Sequence, residues 1–198
     1  MKPIRMVPLL SVSLLCAPAL AGAQTCFRGR PLPTCKTFWI TESGLGTRVN
    51  RGPGGASADL FATLEIGRMS NRSDRTALGA TVLVGVGDQI SSSTDVMLGF
   101  KPRYRHWLGP TTSLELSPGV FYSVVAGRVG LTAHAAINLA DRVALTGQVL
   151  AARSAISGLT TRTDIGWYIG GKLGAWPGVA AAIVVPVVFC VVLCRSRD

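Results

Sequence analysis

From residue 36 to residue 174 the chain alternates apolar with polar or very small residues one position at a time, in segments separated by turn-forming residues. A period of two places successive side chains on opposite faces of an extended strand, so each segment presents one apolar and one mixed face. Eight such segments follow one another: 36–43, 59–69, 76–86, 95–107, 113–122, 128–139, 143–151 and 163–174. In 95–107, Val96, Leu98, Phe100, Pro102 and Tyr104 fall opposite Asp95, Met97, Gly99, Lys101, Arg103 and Arg105, a pattern that an amphipathic helix does not produce. Residues 44–58, rich in Gly and Pro, read as a long loop, and 71–74, 109–110 and 141–142 read as tight turns.

An even number of antiparallel segments predicts an all-β fold, an eight-stranded up-and-down barrel, because closure removes the unpaired edges of an open sheet. Links after the first and seventh segments are long and the link after the third moderate, whereas those after the second, fourth and sixth are tight. The link after the fifth, around 125–127, is short and breaks that trend. Long loops on one rim and short turns on the other is the habit of membrane barrels. The mixed faces carry Glu65, Lys101, Arg103, Glu115, His134, Gln148, Asp164 and Lys172 among many glycines. Charges of both signs beside small residues suit a narrow lumen in which each polar group finds a partner. Segments of about ten residues are long enough for a tilted membrane crossing. The expectation is therefore that the apolar faces turn outward to lipid; a soluble barrel would turn them inward.

The two ends carry different signals. Residues 1–23 hold Lys2 and Arg5, an apolar stretch from Val7 to Leu15, and Ala21-Gly-Ala23, the order of a cleaved secretory signal, so the mature chain is expected to begin at Gln24. Val179 to Cys194 is almost wholly apolar, with Trp176 before it and Arg195 and Arg197 after it, and reads as a transmembrane helix slightly short of the usual length. The chain thus divides into a signal peptide (1–23), a Cys-flanked leader (24–35), a β-barrel (36–174) and a hydrophobic tail with a basic end (175–198). Three dispositions of the tail stay open: a helix lying beside an outer-membrane barrel, an inner-membrane anchor for a periplasmic sheet domain, or a further buried strand pair, since Val and Ile favour strands.

Composition adds a location for the charge and the cysteines. The formal net charge is +10, and removal of the signal takes two bases and no acid, leaving 18 basic against 10 acidic side chains. The excess is dispersed, without a Lys/Arg cluster interleaved with aromatics, which speaks against nucleic acid. Such a balance reads first as solubility charge on loops; at an envelope the alternative is contact with membrane lipid, including lipopolysaccharide phosphate. Arg48 and Arg51 in the first long loop, with Arg153 and Arg162 in the last, would share one rim as an anion contact. Cys26 and Cys35 flank a turn-rich segment and are expected to form a disulfide in an oxidising compartment. Cys190 and Cys194 read as small apolar residues.

Signatures of catalysis are missing from the sequence. Of two histidines, His106 sits beside Trp107 at a strand end, and His134 is on a polar face with Ser117 and Asp164 elsewhere on the sheet, the ingredients of a hydrolytic site without its spacing. Residue spacing gives no phosphate loop, no metal ligand set and no nucleophile elbow, so no enzyme activity, metal or cofactor is expected.

The alternating strands, the signal ending Ala-Gly-Ala23 and an interior set of the Glu65, Lys101, Arg103 and Glu115 type resemble the small eight-stranded bacterial outer-membrane barrels of the OmpA-like and OmpX-like group. The resemblance implies that fold and the cell outer membrane, and does not choose among anchor, adhesin, small pore, lipid-modifying enzyme or protease. Such barrels usually finish on an aromatic residue, whereas this chain runs on through Trp176 into its tail. The expected function is that of a non-enzymatic outer-membrane barrel with a structural, adhesive or minor permeability role. The alternative is a periplasmic barrel that binds an apolar ligand and is anchored to the inner membrane by its C-terminal helix.

Overall fold

The structure, a computed structural model, describes residues 25–50, 60–87, 95–156, 160–175, 178 and 180, without the side chains of 154–156 and 160–162. Nine strands run in chain order: β1 (Thr25–Cys26), β2 (Thr37–Arg48), β3 (Leu60–Asn71), β4 (Thr76–Gly87), β5 (Asp95–Trp107), β6 (Thr112–Ser123), β7 (Arg128–Leu139), β8 (Val143–Ile156) and β9 (Thr160–Gly174). Each strand from β2 to β9 pairs antiparallel with the next, and β9 pairs back onto β2, which closes an eight-stranded barrel. The two residues of β1 add in parallel to the start of β2.

Strands β5 and β7 have the limits that alternation predicts. The largest departures are at β2 and β8. β2 continues through Gly44-Leu-Gly-Thr-Arg48, where the sequence suggests a loop, because this stretch is the closing seam: Gly46 lies opposite Gly170 and Leu45 opposite Gly171. A Cβ at Gly170 would stand 2.1 Å from the Leu45 carbonyl oxygen, so glycine here marks close backbone approach between strands and not a turn. β8 runs on to Ile156 because Leu150 and Ala152 also face inward among apolar neighbours, which erases the contrast between its two faces.

The tight links 72–75, 108–111 and 140–142 share one rim with β1 and with Ala175, where the barrel ends. The other rim holds 124–127 and the links outside the described residues. Between the rims, Val82, Leu98 and Ile137 are 58%, 49% and 47% exposed, whereas Lys101 and Glu115 are 0% and 2% exposed. The side-chain polarity is therefore the reverse of a soluble barrel's. Among the described outward positions, charged or imidazole side chains occur at Arg68, His106 and Arg153, each near a rim. The wall between is apolar apart from small hydroxyl residues such as Thr41 and Ser43.

Residues 1–23 and, apart from Ala180, the apolar run 179–194 lie outside the described residues. Among the described residues no helix is long and apolar enough to cross a membrane, which says nothing of a barrel, since barrels cross with strands.

Candidate functional site

The barrel interior is layered, and its middle layer is ionic. Every second residue of β2, β3, β5, β6 and β9 points inward, which brings Glu42, Glu65, Lys101, Arg103, Arg105, Glu115 and Lys172 into one buried cluster. Glu65 receives Lys101 Nζ at 2.6 Å and Lys172 Nζ at 2.7 Å on one oxygen, and Arg103 on the other. Arg103 also reaches Glu42 at 2.7 Å and Glu115 at 2.9 Å, so a single guanidinium joins carboxylates of β2, β3 and β6. Arg105 continues the chain of pairs to Glu115 at 2.8 Å and to Asp141 at 2.7 Å. Four carboxylates face four cations, so the cluster is formally neutral. An unpaired ion in such a place costs several kcal/mol, roughly 3–5 when one partner is removed. Thr81 and Ser117 take up remaining valences by donating to Glu65 and Glu115 at 3.3 and 3.4 Å.

Apolar layers close both sides of these ions. Toward the short-turn rim lie Phe38, Ile40, Met69, Ala77 and Trp107, with Phe38 and Trp107 edge to face at 5.9 Å and the Arg105 guanidinium over both rings at 5.2 and 5.3 Å. Toward the long-loop rim lie Phe61, Met97, Phe121, Leu150, Ala152 and Tyr168. The space left between Gly44, Thr63, Gln148, Tyr168 and Lys172 is about 10 Å³, room for about one water. A hollow of about 510 Å³ is lined mostly by outward residues such as Tyr104, Leu116, Ile137 and Ile169.

The leader lies across the short-turn mouth. A disulfide joins Cys26 to Cys35. On one side Asn71, at the end of β3, donates its amide to the carbonyls of Arg30 at 2.6 Å and Cys35 at 2.7 Å, and accepts from Trp107 Nε1 at 2.8 Å. On the other, Arg28 donates to the Ala140 carbonyl at 2.5 Å and the Gly29 N–H donates to Asp141 Oδ2 at 2.7 Å. A side chain at residue 29 would collide with Arg105 Nη1 and the Phe38 ring, at 2.6 and 2.8 Å. Ala140 and Asp141 both have left-handed backbones, φ 53° and 52°, with Arg142 N–H bonded to the Leu139 carbonyl, the geometry of a type I′ hairpin turn.

The residues that alternation assigns to the interior fall in different layers. Glu65, Lys101, Arg103, Glu115 and Lys172 are in the ionic cluster. Gln148 is buried and donates to Thr132 at 3.1 Å. His134 is buried between Ser117 and Gln148 in the strand register, and neither ring nitrogen has a hydrogen-bond partner among the described residues. The Ser117 hydroxyl goes to Glu115, so Ser117, His134 and Asp164 do not assemble as a hydrolytic set. Asp164 faces inward at the long-loop end, apart from the cluster, and pairs with Arg48 at 3.3 Å. Arg48 is thus drawn inward and does not project from the rim as an anion contact. Arg153 is exposed, and Arg51 and the Arg162 side chain lie outside the described residues. Glu42, Arg105 and Asp141 complete the cluster without having been singled out by sequence, although the alternation of 95–107 already placed Arg105 on the polar face. Among the described residues no group of three or more His, Cys, Asp or Glu is arranged to hold a metal ion.

Chemically, this interior can hold a barrel in one register; every cation of the ionic cluster already has a carboxylate. No family model, curated protein or solved structure matches the chain, and what it shares with the small outer-membrane barrels is the architecture itself, eight antiparallel strands closed into a barrel.

Proposed function

We propose that this chain is an outer-membrane barrel of the OmpA-like and OmpX-like kind that serves as a non-enzymatic, non-conducting structural or adhesive element of a bacterial envelope. The observation that carries the reading is the reversed polarity: an uncharged apolar wall around a neutral, fully paired ionic interior. In water such a wall would leave many large apolar side chains exposed, far more than a soluble monomer carries. Its height suits a bilayer. Trp39 and Tyr104 sit toward the short-turn rim, and Tyr122 and Trp167 toward the other, in the manner of aromatic girdles. From Trp39 along β2 to Val49, whose N–H bonds to the Trp167 carbonyl, is ten residues. At about 3.3 Å each and a tilt of ~40° they span about 25 Å, the height of an outer-membrane apolar band. The two apolar layers within argue against a permeability role, and the polar lumen offers an apolar ligand no enclosed site among the described residues.

Single-tryptophan variants reconstituted in vesicles test this. Lipids brominated in their acyl chains are expected to quench Trp39 and Trp167 and to spare Trp107, which is buried inside the barrel. Quenching of Trp39 and Trp167 by aqueous acrylamide, with none from brominated lipid, would sink the reading. Ion flux through vesicles carrying the protein is expected to stay at the level of empty ones.

A further inference from the structure

We infer that residues 26–35 are a latched plug: one disulfide holds the leader across the short-turn mouth, and reduction by a dithiol releases it while the barrel stays folded. The inference concerns only the leader and the mouth, and its test in detergent rests on the membrane reading proposed above.

Three features carry it. The anchors are on opposite sides of the ring, at Asn71 on β3 and at the β7–β8 turn, so the leader bridges the opening instead of lying along its edge. Beneath it lie Phe38 and Trp107, with Cys26 packed against their cluster. The strand pairing of the leader is the two-residue β1, and hydrogen bonds to Asn71, Ala140 and Asp141 tie it to the rim, whereas β2 to β9 are closed without it. A segment that lies outside a self-sufficient barrel can open without the barrel unfolding, and the cross-link between its two ends, Cys26 and Cys35, restricts how far it opens.

The release step is ordinary thiol exchange. A thiolate of the donor attacks Cys26 Sγ, the less buried of the two sulfurs, and Cys35 leaves as a thiolate. The donor's second thiol then displaces Cys26, so the donor departs as a disulfide and two electrons and two protons end on the pair. The reductant is a vicinal dithiol, either a small molecule or a thioredoxin-like protein.

The test uses full-length protein folded in detergent, with and without a dithiol such as dithiothreitol. Two signals are read: tryptic cleavage after Arg28, whose side chain is held at Ala140, and acrylamide quenching of Trp107 in a variant lacking the other tryptophans. Cleavage after Arg30 is not used, since Pro31 follows it. Reduction is expected to speed cleavage by about tenfold or more, as the open population grows, and to raise Trp107 quenching, while far-ultraviolet circular dichroism and the compact gel mobility of the unheated barrel stay unchanged. C26S/C35S should behave like reduced protein; if it does not fold, reduction of already folded native protein carries the test. Unchanged cleavage and quenching on reduction would show a leader that stays seated without its latch. Loss of the compact band together with cleavage would show a leader integral to the fold. Either result overturns the inference.

Discussion

Arg103 on β5 donates to Glu42 on β2 at 2.7 Å, although two strands lie between them, so this pair crosses the barrel interior and does not run along its wall. The same guanidinium engages Glu65 and Glu115. Replacing it with methionine leaves three carboxylates short of a cation in a site closed to water. R103M is expected to lose about 3–5 kcal/mol of unfolding free energy in a urea titration. Changing Glu42, Glu65 and Glu115 to glutamine in the same chain should restore part of that loss, which a purely steric defect would not allow.

The wall offers a second measurement. Val82 is near mid-height on β4, between Ile66 and Phe100, and Leu139 is at the short-turn end of β7. In lipid, V82R should cost about 2–4 kcal/mol and L139R about 0–1 kcal/mol, the depth dependence of an apolar band. Equal and small effects at both sites in lipid would remove the depth dependence.

Closure of the ring rests on the β2–β9 seam. Adding a methyl at Gly170 drives it into the Leu45 carbonyl, whereas at Gly147 a Cβ meets nothing within 4 Å. G170A should shift the unfolding midpoint sharply and G170V should abolish the compact gel form, while G147A leaves both near those of the parent.

Ala140 holds a left-handed backbone that its Cβ disfavours, in the turn that receives Arg28 and Gly29. A140G is expected to stabilise the protein by about 1 kcal/mol, since glycine adopts φ near +55° without the steric penalty. Chemical denaturation at fixed detergent concentration reads the difference, and a loss of stability would mean that the turn is not in the left-handed form.

Asn71 is the other anchor, and its amide makes three hydrogen bonds in a buried place. N71D turns two donations to carbonyls into oxygen-to-oxygen contacts. It should lower stability by about 1–3 kcal/mol and raise acrylamide access to Trp107, whereas the reverse exchange at exposed Asp74, D74N, should do neither.

Much of the barrel is legible in the sequence because a half-lipophilic strand has to alternate. β5 and β7 show this without interruption, from Asp95 to Trp107 and from Arg128 to Leu139. Alternation fails where its physical cause is suspended. At Gly44 a Cβ would press on Thr63 Oγ1 at 2.5 Å, Gly46 faces the crowded Gly170 across the seam, and at Leu150 and Ala152 the inward side is itself apolar. Which faces carry the ions is also readable, but the pairing is not: Arg103 and Glu42 are 61 residues apart, and only the closed ring makes them neighbours. The contact of Gly29 with Asp141, 112 residues away, leaves no trace in local pattern at all.

The reach of Arg103 to β2, β3 and β6 also constrains how such a molecule is built. A growing sheet that held β2 to β5 alone would have Arg103 without Glu115, and one lacking β9 would have Glu42 and Glu65 without Lys172. Entering hydrocarbon strand by strand would therefore drag unmatched ions through oil at each stage. For a barrel that enters a bilayer as proposed, the ring would have to be nearly complete before it sinks, with assembly and insertion a single concerted event.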